Sequence, residues 1–111
     1  MQLLVVILKR ESRMKKVVQA LAREGIRGGT IIEGVGMAES LVQMQDLPVF
    51  GTLKRMLSVE EMETSHVMLF ALKDNELSRT TSLIKEVIGD FNAPNTGIMF
   101  AIPISYIEGI H

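Results

Sequence analysis

The chain has no cysteine, no tryptophan, one tyrosine and three prolines among its 111 residues. Without cysteine there are no disulfides, no thiolate zinc sites and no cysteine nucleophile. That usage fits a reducing compartment, and a cytoplasmic location is the expectation. Neither sign of charge dominates, since twelve basic and thirteen acidic residues leave a net charge of -1. No field therefore favours nucleic acid or an anionic membrane surface. Long hydrophobic runs are also missing. The opening "MQLLVVIL" is followed at once by "KRESR", which is too short for a span of about 20 apolar residues and lacks the basic start of a signal peptide. No insertion into a membrane is expected. Catalytic signatures are scarce as well: there is no Walker A, no complete GxGxxG, and no GxSxG framing a serine. No enzymatic activity is expected on these grounds. His66 and His111 stand far apart without an HxxxH spacing, so they read as solvated or hydrogen-bonded histidines and no metal site is expected.

What is present is a composition of 47% hydrophobic against 23% charged residues, that of a folded domain. The length suits one domain spanning residues 1–111. Residues 3–8 form a Val- and Ile-rich run, the pattern of a buried strand. From Ser12 the period changes: Met14, Val17, Val18, Leu21 and Ala22 make one stripe of an amphipathic helix, which Gly25 stops. Residues 30–33 read as a second strand and 67–72 as a third. Asp74 or Asn75 is placed to cap a helix carrying Leu77, Ile84, Val87 and Ile88, closed by Gly89. Residues 98–102 read as a last strand, ended by Pro103.

Between the second and third strands lies a long excursion at about 37–64. It is too apolar for a solvated linker and too long for a structureless loop. Phe50, Leu53 and Leu57 at helical spacing, and the capping-box pattern "SVEE" at 58–61, suit short helical turns; a projecting ribbon extending the flanking strands suits the sequence equally. Glu60, Glu61 and Glu63 read as a solvated acidic face. The order β-α-β, excursion, β-α-β is that of a ferredoxin-like α+β sandwich, an antiparallel sheet with two helices on one face. Because both faces of its strands are apolar, the second face should be hidden in a symmetric oligomer.

Several stretches carry a resemblance. "ALAREGIRGGTIIEGVG", "LLVVILKRE" and "TGIMFAIPI" resemble the first helix, second strand and T-loop base, the first strand, and the last strand of the P-II (nitrogen regulatory) signal-transduction proteins. The resemblance implies a homotrimer with an adenine-nucleotide effector bound in clefts between subunits. It further implies a T-loop that contacts a regulated enzyme or transporter in nitrogen metabolism. On this resemblance Thr30 matches an adenine-contacting Thr, Gly36 a glycine at the T-loop base, and Gly97 the second glycine of the phosphate-cradling B-loop.

The chain departs from that pattern where charge matters. The family's Gly-Asp-Gly-Lys reads Asn95, Thr96, Gly97 and Ile98 here, so the phosphate-pairing Lys has become Ile. "ISYIEGIH" lacks the two Arg that follow the last strand in the family. The Arg-Gln pair tied to 2-oxoglutarate and magnesium falls on Glu39 and Ser40, and the only tyrosine, Tyr106, lies outside the excursion. The basic residues left near such a cleft are Arg27, Lys9 and Lys54 or Arg55. A less charged effector is therefore expected than a triphosphate.

The candidate ligand-binding residues are thus Thr30, Gly36, Met37, Ala38, Asn92, Asn95, Thr96, Gly97 and Ile98. Turn chemistry alone also accounts for the Asn, Pro and Gly of "NAPNTG". Eight methionines are many for this length, and those in or beside the excursion suit an adaptable surface. Met44, Phe50, Leu53 and Met56 are the candidate partner-binding residues. Two other readings share the topology. A CutA-like trimeric metal-tolerance protein would be stabilised by metal through His66 or the methionines. An acylphosphatase-like enzyme would need an early Arg and Asn anion site, for which "LLVVILKRESR" offers no equivalent.

Overall fold

In the computed structural model, which describes residues 1–44 and 64–110, the Val- and Ile-rich opening becomes an inner strand, β1 (Gln2–Leu8). It pairs antiparallel with β3 (Ser65–Leu72) on one side and β4 (Ile98–Pro103) on the other. β2 (Gly29–Gly34) adds antiparallel to the outer edge of β3, giving the sheet order β2-β3-β1-β4. Each strand-helix-strand unit is split by a strand of the other, which makes this four-stranded antiparallel sheet ferredoxin-like.

Helices α1 (Glu11–Arg23) and α3 (Leu77–Ile88) pack on one face. The core forms where their apolar stripes meet alternate strand residues: Leu4, Val6 and Leu8 of β1, Met68, Phe70 and Leu72 of β3, Val17 and Leu21 of α1, and Ile84 of α3. Gly25 ends α1 as expected. With φ at +83° it lets its own N–H reach the Ala22 carbonyl (3.0 Å), while Ile26 N–H reaches Leu21 (2.9 Å), the paired bonds that close a Schellman motif. Arg79 of α3 then clamps this helix end, donating to the Glu24 carbonyl (3.1 Å) and carboxylate (2.9 Å).

Two expectations need correction. Asp74 and Asn75 do not cap α3. They lie in a 3-10 turn, Asp74–Glu76, where the Glu76 carboxylate accepts from Lys73 N–H (2.9 Å) and Asp74 pairs with the N-terminal ammonium (3.0 Å). Pro103 is the last residue of β4 rather than the residue beyond it, since β4 is an outer strand on which a missing N–H is tolerated. The start of the excursion is helical: α2 (Met37–Gln43) follows Gly36 directly. The helical turns read at Phe50, Leu53 and Leu57, the "SVEE" box and the acidic face at Glu60, Glu61 and Glu63 lie outside the described residues.

The sheet face turned away from α1 and α3 carries Leu3, Val5 and Ile7, Val67 and Leu69, Thr30 and Ile32, and Ile98, Phe100 and Ile102, by register. Ile32, Ile98, Phe100 and Ile102 are 48, 58, 44 and 48% exposed. No helix among the described residues is long and apolar enough to cross a membrane.

Candidate functional site

Three chain segments converge where β1 ends. Residues 92–97, between α3 and β4, start as an Asx-type turn: the Asp90 carboxylate accepts from Asn92 N–H (2.9 Å), and its carbonyl accepts from Ala93 N–H (3.0 Å). Asn92 and Asn95 are exposed, and Asn95 adopts φ of +60°, a conformation open to Asn at little cost. Thr96 is buried at 8% exposure. Gly97 has φ of +139°, and a Cβ there would stand 2.6 Å from the Ile7 carbonyl oxygen and 2.9 Å from Leu8 Cδ2. Only glycine lets the loop lie this close to the end of β1. Arg13 of α1 fixes the loop from the helix side, its Nη1 donating to the Asn95 carbonyl at 2.8 Å.

On the other flank of β1, Gly36 begins α2. A Cβ on Gly36 would lie 2.7 Å from Lys9 Nζ and 3.7 Å from Ser65 Oγ, which puts the base of the excursion against the Lys9 ammonium. Met37 projects from the start of α2 at 78% exposure, Ala38 is half-buried, and Met44 is 45% exposed. Glu39 has one carboxylate oxygen buried without a hydrogen-bond partner among the described residues. Phe50, Leu53 and Met56 lie outside the described residues.

The structure therefore brings Gly36, Met37 and Ala38 to the same sheet end as Asn95, Thr96, Gly97 and Ile98, with Lys9 between them. Thr30 is not brought there. It pairs with Leu69 near the start of β2, about 13 Å of strand from Gly34 at ~3.3 Å per residue. The loop 92–97 is also separated from β2 by β3 and β1. Arg27 likewise precedes β2 at the opposite sheet end and does not serve this site, and Lys54 and Arg55 lie outside the described residues. Sequence reasoning missed Arg13, because nothing in "KRESR" distinguishes the arginine that turns toward a loop 82 residues away.

His66 departs at one ring nitrogen from the expectation of a solvated or hydrogen-bonded histidine. It is 6% exposed, and its Nδ1 is buried without a partner among the described residues. Leaving such a group unsatisfied costs ~1–3 kcal/mol. It lies beside Glu33 in the β2–β3 register and Leu8 in the β1–β3 register. Together with Lys9, Glu11 and Thr64 it lines a polar niche of about 280 Å³ on the helix-bearing face. No group of three or more His, Asp or Glu among the described residues is arranged to hold a metal ion.

No family model matches the sequence, and no curated protein is similar to it by sequence. Among solved structures, the chain is similar to the PII protein of Arabidopsis thaliana, in a crystal structure bound to citrate. The match has a TM-score of 0.64 and 20% identity over 94% of this chain and 77% of that one. The chain thus has the P-II-like form of the ferredoxin-like fold.

Proposed function

We propose that this chain is a P-II-like regulatory protein, a homotrimer that binds a small effector in clefts between subunits. Through the segment at 37–64 it reports effector binding to a partner enzyme or transporter in nitrogen metabolism. The observation that carries this reading is the convergence at the end of β1. A loop locked by Gly97, buried Thr96 and the Arg13 tether stands at the same sheet end as Gly36, from which the segment departs. A ligand wedged between a fixed loop and the base of a long segment shifts that segment as far as it binds the segment's two states unequally.

Thr30 and the loop are far apart in one chain. The reading places them in one cleft only when a second copy supplies one of the two, which the exposed apolar sheet face favours. Citrate bound to the PII protein of similar fold supports a small anionic effector. Among the described residues, Lys9 lies against Gly36 and Arg13 against the loop, and Ile98 is an exposed apolar residue where the resemblance would put a lysine. A site in which the family's phosphate-pairing lysine is replaced by Ile98 suits an adenine nucleotide of low charge better than a triphosphate. No observation among the described residues favours the metal-tolerance reading.

Thermal unfolding with AMP, ADP and ATP, with and without magnesium, tests this. AMP is expected to raise the midpoint at lower concentration than ATP, since a ligand at a hundredfold excess over its Kd adds about 2.7 kcal/mol of stability. The shift should vanish in Gly97→Asp, judged against that variant's own midpoint. No shift with any of the three, or the largest shift with ATP, rejects the reading.

A further inference from the structure

The niche beside His66 is separate from the loop 92–97 and lies on the helix-bearing face, between the last residues of β2, the first of β3 and the start of α1. Its lining among the described residues is Lys9, Glu11, Glu33, Thr64 and His66, every one polar or charged. The charges do not satisfy one another. Glu11 is engaged by Lys15 on its own helix at 3.4 Å. Among the described residues Glu33 and Lys9 have no ion-pair partner.

His66 makes the second, independent observation. It is more than nine-tenths buried, and its Nδ1 is buried with no hydrogen-bond partner among the described residues. A strand position whose neighbours two and four residues on are Met68 and Phe70 would accept an apolar side chain without any unsatisfied group. A buried ring nitrogen without a partner there calls for a ligand.

We infer that this niche binds a small zwitterion bearing an ammonium and a carboxylate, the chemistry of a free α-amino acid. A simple anion would meet Glu33 and Glu11, and a simple cation would meet Lys9. A molecule with both charges a few ångströms apart meets Glu33 with its ammonium and Lys9 with its carboxylate. His66 and the Thr64 hydroxyl supply the remaining hydrogen bonds. A volume of about 280 Å³ leaves room for a small amino acid. The niche does not depend on the nucleotide reading, although Lys9 is shared with that site, its Nζ standing 2.7 Å from where a Cβ on Gly36 would lie.

The test is two-dimensional NMR of the imidazole nitrogens of the full chain, titrated with the free L-amino acids. Each one that binds is then repeated as its N-acetyl and its amide derivative. His111 at the chain end serves as the internal control. At least one free amino acid is expected to shift the His66 signals and leave those of His111 in place. Removing either charge from that ligand, or replacing Glu33 in the variant Glu33→Gln, should weaken binding by about tenfold or more, as loss of a charge-assisted pair does. Three results would overturn the inference: no amino acid moves His66, the N-acetyl derivatives bind as well as the free forms, or Glu33→Gln binds with unchanged affinity. A response of His66 to zinc or calcium ions with none to amino acids would also reject it.

Discussion

At Gly97 the chain combines φ of +139° with a Cβ direction aimed at the Ile7 carbonyl, 2.6 Å away. Alanine there is expected to cost about 1–3 kcal/mol from the backbone conformation alone, with the carbonyl clash added. The check is the urea midpoint of Gly97→Ala against the parent chain. Asp74 is a residue whose role shows only in the fold. Its carboxyl lies below the usual carboxylate range, first because it hydrogen-bonds the N-terminal ammonium and then because that charge stands beside it. A depressed folded value means the contribution is present above the unfolded value and is lost as pH falls through the folded one. The difference in thermal midpoint between the parent and Asp74→Asn should therefore be present near neutral pH and close on acidification. A constant difference across that range would remove the ion pair from the account. At this scale the sequence was least informative. Gly25 and Gly97 were readable because a positive φ favours glycine, whereas Arg13, His66 and Asp74 depend on neighbours far along the chain.

The helices and strands were legible because their apolar periods agree with their surroundings. The stripe Met14, Val17, Leu21 predicted α1, and Ile84 lies at the centre of the corresponding stripe of α3. Ile84→Ala should cost about 2–5 kcal/mol, the range for a fully buried aliphatic residue whose site only partly collapses. A cost below 1 kcal/mol in a urea titration would contradict the packing between α1, α3 and β1. The strand β1 looked as if both of its faces needed burial, and the structure divides that signal. Leu4, Val6 and Leu8 fill the helix-side core, while Leu3 and Ile7 on the other face are half-buried. Helix α2 was illegible as a particular element because its seven residues are too few for two turns of periodic signal. The tether from α1 to the loop gives another expectation. Arg13→Ala should lower stability by only ~0.5–1.5 kcal/mol, as one exposed hydrogen bond would. It should nevertheless speed amide exchange across residues 92–97 well beyond the rest of the chain.

For the whole molecule, the decisive feature is the sheet face that α1 and α3 leave uncovered. Ile32, Ile98, Phe100 and Ile102 expose nearly half or more of their surface there, alongside half-buried Leu3, Ile7, Val67 and Leu69. An apolar patch of this kind suits the proposed interface, and the proposed cleft needs one, because Thr30 and the loop 92–97 do not meet within a chain. The most direct measurement is the solution mass by light scattering of the parent chain and of Phe100→Glu, which buries a charge in the proposed interface without touching the helix-side core. The parent should weigh three times the 12.3 kDa of one chain, and Phe100→Glu should fall toward the mass of one. A parent chain that stays at 12.3 kDa across concentration would contradict the shared cleft and the effector-binding function that rests on it.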